Sequence, residues 1–176
     1  MTQDWLIRPA RASDRPRLSR FRCASHARPW EAEVEEFVRA HVLDWALDPL
    51  AQDNDPRLLL LFDRRLKKLV GAAAHERTTL GAPNIPAFAA TKLQVVAVAA
   101  SWQGRTFPGG QRASDVLMSA ALTDVAQRVP PRDARVFAVV HNQNARSVAL
   151  CHRFGLIHDM ASEDPAYRAL VTDHKP

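Results

Sequence analysis

Two stretches decide the reading of this chain: KLQVVAVAASWQGRTFPGGQRAS (Lys92–Ser114) and RVFAVVHNQNARSVALCHRFGL (Arg135–Leu156). The first opens on a strand, Lys92 to Ala100, whose apolar run from Val95 to Ala100 reads as central rather than edge. It passes into a segment holding Gly104, Gly109 and Gly110, half of the six glycines in the chain, and then into a helix from Ala113 or Ser114 to about Arg128. Glycines let a backbone approach a ligand closely, and the first amides of a helix have no partners of their own. A strand, glycine loop and helix in that order can bind phosphates through backbone N–H groups. Arg105 and Arg112 flank the loop and could add charged contacts. The second stretch is a strand from Arg135 to His141 and then a helix opened by Asn144. Gly155 is placed to be the left-handed residue that ends it.

Working outward, Trp5–Pro9 reads as a first strand. Ser13 and Asp14 are N-cap candidates for a helix to about Ala27, with Leu18 and Phe21 inward. Pro29 should break it. A second helix is expected from Glu31 to about Leu47, with an apolar stripe of Val34, Phe37, Val38, His41, Val42 and Trp45. Glu31, Glu33, Glu35 and Glu36 in its first turns suit the positive end of the helix dipole. Leu58–Phe62 and Leu69–His75 read as strands, and Gly81, Pro83 and Pro86 as a loop from Leu80 to Ala90. Leu156–Met160 and Tyr167–Thr172 form a closing pair. The order β-α-α-β-β-β-α-β-α-β-β implies one domain over residues 1–176, with a mixed, mostly antiparallel sheet and helices on its faces, α/β or α+β by convention.

Composition narrows the function. No apolar run approaches the ~20 residues of a membrane helix, and no signal peptide is read at the N-terminus. Cys23 and Cys151 form neither a CxxC nor a zinc ligand set, so a reduced, cytoplasmic setting is expected and a metal is not. The net charge of +5 lies in one segment: residues 1–30 carry seven arginines against Asp4 and Asp14, and the rest balances. That segment could attract an acidic partner or cofactor phosphates. No DNA- or RNA-reading motif accompanies it, so nucleic acid is not the expected partner. The spacing Gly104-x4-Gly109 is that of a P-loop, but Gly110 and Gln111 stand where its Lys and Ser/Thr belong, and without that lysine the phosphate cradle fails.

The glycine loop and the Asn-led helix together resemble the GCN5-related N-acetyltransferase (GNAT) family. Val96 and Val98, followed by Trp102-Gln103-Gly104-Arg105, are similar to the family's valine-rich strand and the start of its Gln/Arg-x-x-Gly-x-Gly/Ala loop. The chain then departs with Thr106-Phe107-Pro108-Gly109-Gly110-Gln111-Arg112, a longer loop. His141 to Leu156 is similar to the family's Asn-x-x-Ala and Leu-Tyr-x-Lys-x-Gly-Phe, with Asn144, Ser147, Leu150, Arg153, Gly155 and Leu156 in matching positions. The two motifs cover about residues 92–158. The resemblance implies a splay between the fourth and fifth strands that holds acetyl-CoA or another acyl-CoA, and acyl transfer to an amine by direct attack in a ternary complex. It implies cofactor contacts from Val96, Val98, Gln103, Gly104, Arg105, Gly109, Gly110, Arg112, Asn144 and Ser147. The acceptor would be a small amine or a protein or peptide amine, and dimers are common in the family.

Cys151 stands where many members carry the tyrosine that protonates the leaving thiolate. The single tyrosine, Tyr167, is the other candidate acid. His75, Glu76 and His141 end strands near the acceptor side, and a histidine titrates near neutral pH, which suits deprotonating an amine. A non-catalytic acyl-CoA-binding module on the same fold is the alternative reading.

Overall fold

The computed structural model describes residues 4–24, 28–82, 85–130 and 135–172. Among these residues seven strands form one sheet: β1 (Trp5–Pro9), β2 (Arg57–Asp63), β3 (Lys68–Ala82), β4 (Ile85–Val98), β5 (Val136–His141), β6 (Leu156–Ala161) and β7 (Tyr167–Thr172), in the order β1-β2-β3-β4-β5-β7-β6. Every neighbouring pair is antiparallel except β4 and β5, which run parallel. The expected element order and the mixed, mostly antiparallel sheet are both found. Among the described residues no helix is long and apolar enough to cross a membrane.

The run of leucines in β2 is explained by two covered faces. Leu58, Leu60 and Phe62 pack with Leu18, Phe21, Val38 and Val42 from the helical segments before β2. Leu61 packs on the other face with Leu117, Met118 and Ala121 of α4 (Ala113–Arg128). Successive strand side chains point to opposite faces, so a strand covered on both reads as continuously apolar.

Three local expectations are corrected. The first helix is short. A 3₁₀ turn at Ala12–Asp14 leads into α1 (Arg15–Leu18), and the chain is irregular from Phe21 to Ala24, although Leu18 and Phe21 are buried as expected. Asp14 is fully buried, and its carboxylate accepts two 2.7 Å bonds from the Arg8 guanidinium and one from the Arg11 amide. Its side chain is therefore spent on β1 rather than on capping a longer helix.

The second helix starts at Pro29, which sits in its first turn instead of breaking the chain. It runs as α2 (Pro29–Glu36), a π segment (Phe37–His41) and α3 (Val42–Leu47). A π turn inserts a residue relative to the 3.6 period. Val38 and Val42 stay inward, while His41 turns out to solvent and Leu43 goes in.

The expected loop from Leu80 to Ala90 is instead the end of a long hairpin. β3 and β4 pair from Gly71↔Val98 to Ala82↔Ile85, with a register shift between Leu80 and Ala82. Pro86 lies in that irregular stretch, where a missing N–H is tolerated. Pro83 lies outside the described residues.

Four of the seven arginines of the basic N-terminal segment are paired in place. Arg8 and Arg17 pair with Asp14, Arg15 with Asp44 on α3, and Arg22 with Glu35 on α2. These pairs tie β1 and the first helical segments to one another.

Candidate active site

β4 and β5 pair over only Thr91↔Val136, Lys92↔Phe137 and Leu93↔Ala138. Beyond that point β4 continues to Val98 and β5 to His141 without pairing, so a gap opens between them. The peptide groups facing this gap follow from register. Gly71↔Val98, Ala72↔Ala97, Ala73↔Val96 and Ala74↔Val95 run without a break, and the Ala99 amide donates to Val70 O at 2.7 Å. Bonding partners alternate along an antiparallel ladder. The amides of Ala97 and Val95 therefore point to β3, and those of Val96 and Val98 point away from it, into the gap. An extended, amide-bearing ligand laid between the strands would find the Val96 N–H and C=O and the Val98 N–H directed toward it.

Gln103 closes the far end of the gap. Its Nε2 donates to Cys23 O (2.6 Å) and Val98 O (3.2 Å), and its Oε1 accepts from Arg146 Nη1 (3.2 Å). One side chain thus ties the end of β4 to the irregular Phe21–Ala24 segment and to α5 (Ala145–Arg153). Gly104, with φ +74°, turns the chain at this point and is exposed, as is Arg105.

The lengthened loop is a small closed hairpin. Thr106 and Arg112 bridge, the Phe107 amide donates to Gln111 O (2.8 Å), and the Gly110 amide donates to Phe107 O (2.8 Å). Phe107 is buried against Trp102, ring centroids 4.9 Å apart. Trp5 Nε1 donates to Gln111 Oε1 at 3.1 Å, pulling the tip toward β1. Gly110, Gln111 and Arg112 therefore line an open groove of about 800 Å³ between β1 and α4. Two strands, β2 and β3, separate β1 from β4 in the sheet. The structure thus divides the expected phosphate residues. Gln103, Gly104 and Arg105 lie at the end of β4, whereas Gly110 and Arg112 face the β1 side and the Gly110 amide is already bonded.

Asn144 caps α5, its Oδ1 accepting from the Ser147 amide at 3.1 Å, and Gly155 follows the helix with φ +81°. Both match the sequence reading. Cys151 does not. It is buried in the core with Leu150, Leu156, Val140 and Leu117, and burial pushes its thiol up to about 11. This corrects its place among the catalytic candidates: the side chain on α5 at that position faces the core. Replacing Cys151 with Ala should cost about 1 kcal/mol of stability by denaturant titration. Any turnover measured with the wild type should change by less than roughly twofold.

Opposite α4 and α5, the sheet face beneath α2 carries the acceptor-side candidates. Glu76 on β3 pairs in register with Lys92, and its carboxylate accepts a hydrogen bond from the Gln94 side chain at the mouth of the gap. On β5 the alternation puts Phe137, Val139 and His141 on this face, and Val139 is 41% exposed. His141 and Tyr167 are register partners on β5 and β7, with ring centroids 5.1 Å apart edge to face. Two residues of α2 complete the group. Trp30 stacks on His141 (4.1 Å, 14° between planes), and the Tyr167 hydroxyl donates to Glu33 Oε2 at 3.0 Å. Burial, then the Glu33 hydrogen bond, hold the phenol above its ordinary range. His141 and Tyr167, proposed separately from sequence, are thus brought together. Glu33 gives no separate signal in the sequence because acids in a first turn are already explained by the helix dipole, and Trp30 gives none because its partner His141 is far along the chain.

His75 does not join this group. It is buried on the opposite face, where Nε2 lies 3.0 Å from Asp124 Oδ2 of α4. Burial, partly offset by Asp124, lowers its pKa. In the unfolded chain the imidazole takes a proton below about pH 6.5, whereas in the fold it resists doing so. The unfolded state then binds more protons, and stability falls as pH drops through that window. Thermal melts between pH 7 and 5.5 should show this decline in the wild type and a shallower one in His75→Gln.

Among the described residues no cluster of histidine, cysteine and carboxylate side chains could hold a metal ion. No protein-family profile and no curated protein matches the sequence. Solved structures do match. The PaiA N-acetyltransferase from Thermoplasma acidophilum, in complex with coenzyme A, superposes with a TM-score of 0.67 at 12% identity, over 98% of this chain and 100% of that one. A mutant of the toxin AtaT, bound to the C-terminus of the antitoxin AtaR and to acetyl-CoA, gives 0.63 at 15% identity, over 97% and 94%. A Desulfovibrio desulfuricans protein described as an acetyltransferase of the GNAT family gives 0.61 at 17% identity, over 95% and 96%. With its seven-stranded order, its single parallel pair and the gap beside it, the chain has the GNAT fold.

Proposed function

We propose that the protein is an N-acyltransferase that moves an acetyl or other acyl group from acyl-CoA to an amine by direct attack in a ternary complex. The observation that carries this reading is the β4–β5 gap, with the Val96 and Val98 amides directed into it and Gln103 latched across its end. The pantetheine arm is itself an extended amide chain and would pair with those peptide groups as a strand does. Gly104 and Arg105, exposed at the end of β4, and the α5 N-terminus around Asn144 and Ser147 would meet the pyrophosphate. Gly109, Gly110 and Arg112 would contribute only from the hairpin on the β1 side. The coenzyme A and acetyl-CoA bound by proteins of this fold support the donor. AtaT has also been seen with acetyl-methionyl-tRNAfMet, so an acyl-accepting amine on this fold can belong to a large molecule as well as a small one.

The chemistry asked of the site is modest. Holding an amine against a thioester supplies much of the acceleration, and a group that accepts the amine's proton supplies more. Glu76, His141 and Tyr167 line the side from which an acceptor would approach. The test is calorimetric titration with acetyl-CoA, followed by a broad amine screen reading out free thiol. Binding at sub-millimolar concentration with turnover on some amine is expected. Binding without turnover on any acceptor would favour a non-catalytic acyl-CoA module, the reading that the buried Cys151 thiol prompts. No binding would end both.

A further inference from the structure

α2 is an unusual helix. None of its residues is buried, yet its first turns make two side-chain contacts with the sheet: Trp30 on the His141 ring of β5, the strand beside the gap, and Glu33 on the Tyr167 hydroxyl of β7, the next strand out. Glu33 is exposed and Tyr167 is half-buried, so solvent reaches the pair. His141 lies three residues past Ala138, where the β4–β5 pairing ends. At ~3.3 Å per residue that is about 10 Å of strand, so His141 and its register partner Tyr167 lie past the last β4–β5 pair, on the side where the gap is open. The charged and titratable groups around the phenol are Glu33 on α2, Asp164 before β7 and His141 on β5. Arg28 lies over the Trp30 ring at 5.6 Å.

We infer that Glu33 is the acceptor-binding residue of this site, and that the acceptor is an aliphatic amine that arrives as an ammonium ion. The inference rests on the acyl-transfer reading and deepens it. The ammonium takes the place of the Tyr167 hydroxyl on the Glu33 carboxylate, beside the Tyr167 ring, which itself attracts a cation. It gives one proton to Glu33, which passes it to solvent. The freed lone pair forms the C–N bond at the thioester carbonyl, and the C–S bond breaks with its electron pair on sulfur. The second N–H proton reaches sulfur through Tyr167, which gives its phenolic proton to the thiolate and takes the one from nitrogen. The products are an amide and a free thiol, and the net proton released is the one that left through Glu33. Cys151, buried on the other side of the sheet, has no part in this path.

The experiment compares the wild type with Glu33→Gln, Glu33→Asp and Tyr167→Phe, using acetyl-CoA and two classes of acceptor: aliphatic amines, charged at pH 7, and arylamines, neutral there. Glutamine still accepts the tyrosine hydrogen bond, so Glu33→Gln removes charge while keeping α2 docked, and an unchanged melting temperature checks this. For aliphatic amines, kcat/KM at pH 7 should fall about 100-fold in Glu33→Gln, with acetyl-CoA affinity unchanged and partial recovery in Glu33→Asp. Its pH profile should rise with slope one toward the amine's pKa, because only the free base then reacts. Arylamine transfer should fall by a smaller factor than aliphatic transfer in Glu33→Gln, because a neutral amine brings no ammonium proton to shed. Tyr167→Phe should lower kcat and leave the acceptor KM nearly unchanged. Wild-type rates and an unaltered profile in Glu33→Gln, against an active parent, would overturn this inference alone. A wild type that transfers to no amine would overturn it together with the acyl-transfer reading.

Discussion

Gly71→Ala should destabilise the protein by about 3 kcal/mol, the upper range for forcing atoms into a packed core. A methyl at Gly71 would lie 2.5 Å from Leu117 Cδ1 and 2.6 Å from Ala97 O. The first contact belongs to a fully buried side chain on α4, packed in the core. The second is backbone of β4, which cannot move without disturbing the ladder beside it. Gly71 is thus a point where α4, β3 and β4 approach closely, beside the strand whose other edge faces the gap. Gly109→Ala is the control. A methyl there meets nothing within 4 Å and the backbone is not left-handed, so its cost should be a few tenths of a kcal/mol. Urea titration of the two variants reads both. Equal midpoints would show that α4 can shift on the sheet and that the close approach is not a constraint.

That contrast shows what the sequence could and could not convey. The cluster Gly104, Gly109 and Gly110 stands out along the chain, and it does mark a turn. Yet the glycine under the tightest contact is Gly71, inside a strand whose alanines hide it. Strand, loop, helix, strand and capped helix from Lys92 to Gly155 were legible because local chemistry decides them: an apolar run, an Asn that bonds the Ser147 amide, a glycine at φ +81°. The β3–β4 hairpin was not, because Gly81, Pro83 and Pro86 carry loop chemistry, and only cross-strand pairing such as Leu80↔Phe88 shows that the strands continue. His41 fell on the apolar stripe because a period of 3.6 assumes no π turn. The Trp30–His141 and Glu33–Tyr167 contacts join residues more than 100 positions apart, and nothing local to α2 signals them. The direction of the Val96 amide was likewise invisible until the register with β3 was known.

That register carries the second large effect. Val96→Pro should weaken acetyl-CoA binding at least tenfold, about 1.4 kcal/mol, while the protein still folds. Proline removes a backbone donor and fixes φ near −65°, which an extended strand can approach where no ladder bond is lost. The alternation set by the Ala99 amide on Val70 O puts the Val96 N–H on the gap side, outside the β3 ladder. Val98 has the same direction, but its carbonyl already accepts from Gln103, so a change there would also disturb the latch. Ala97→Pro is the paired test. One residue along, the amide points to β3, and the same substitution removes a bond at the centre of the sheet and should unfold the protein. The assay is calorimetric titration with acetyl-CoA beside a thermal melt. If Val96→Pro binds as tightly as the wild type, the cofactor arm does not pair with β4 and the gap is not its seat. If both variants unfold alike, the ladder does not alternate as the register requires. A folded Val96→Pro that has lost acetyl-CoA, beside an unfolded Ala97→Pro, would place the arm against the one edge of β4 that the sheet leaves open.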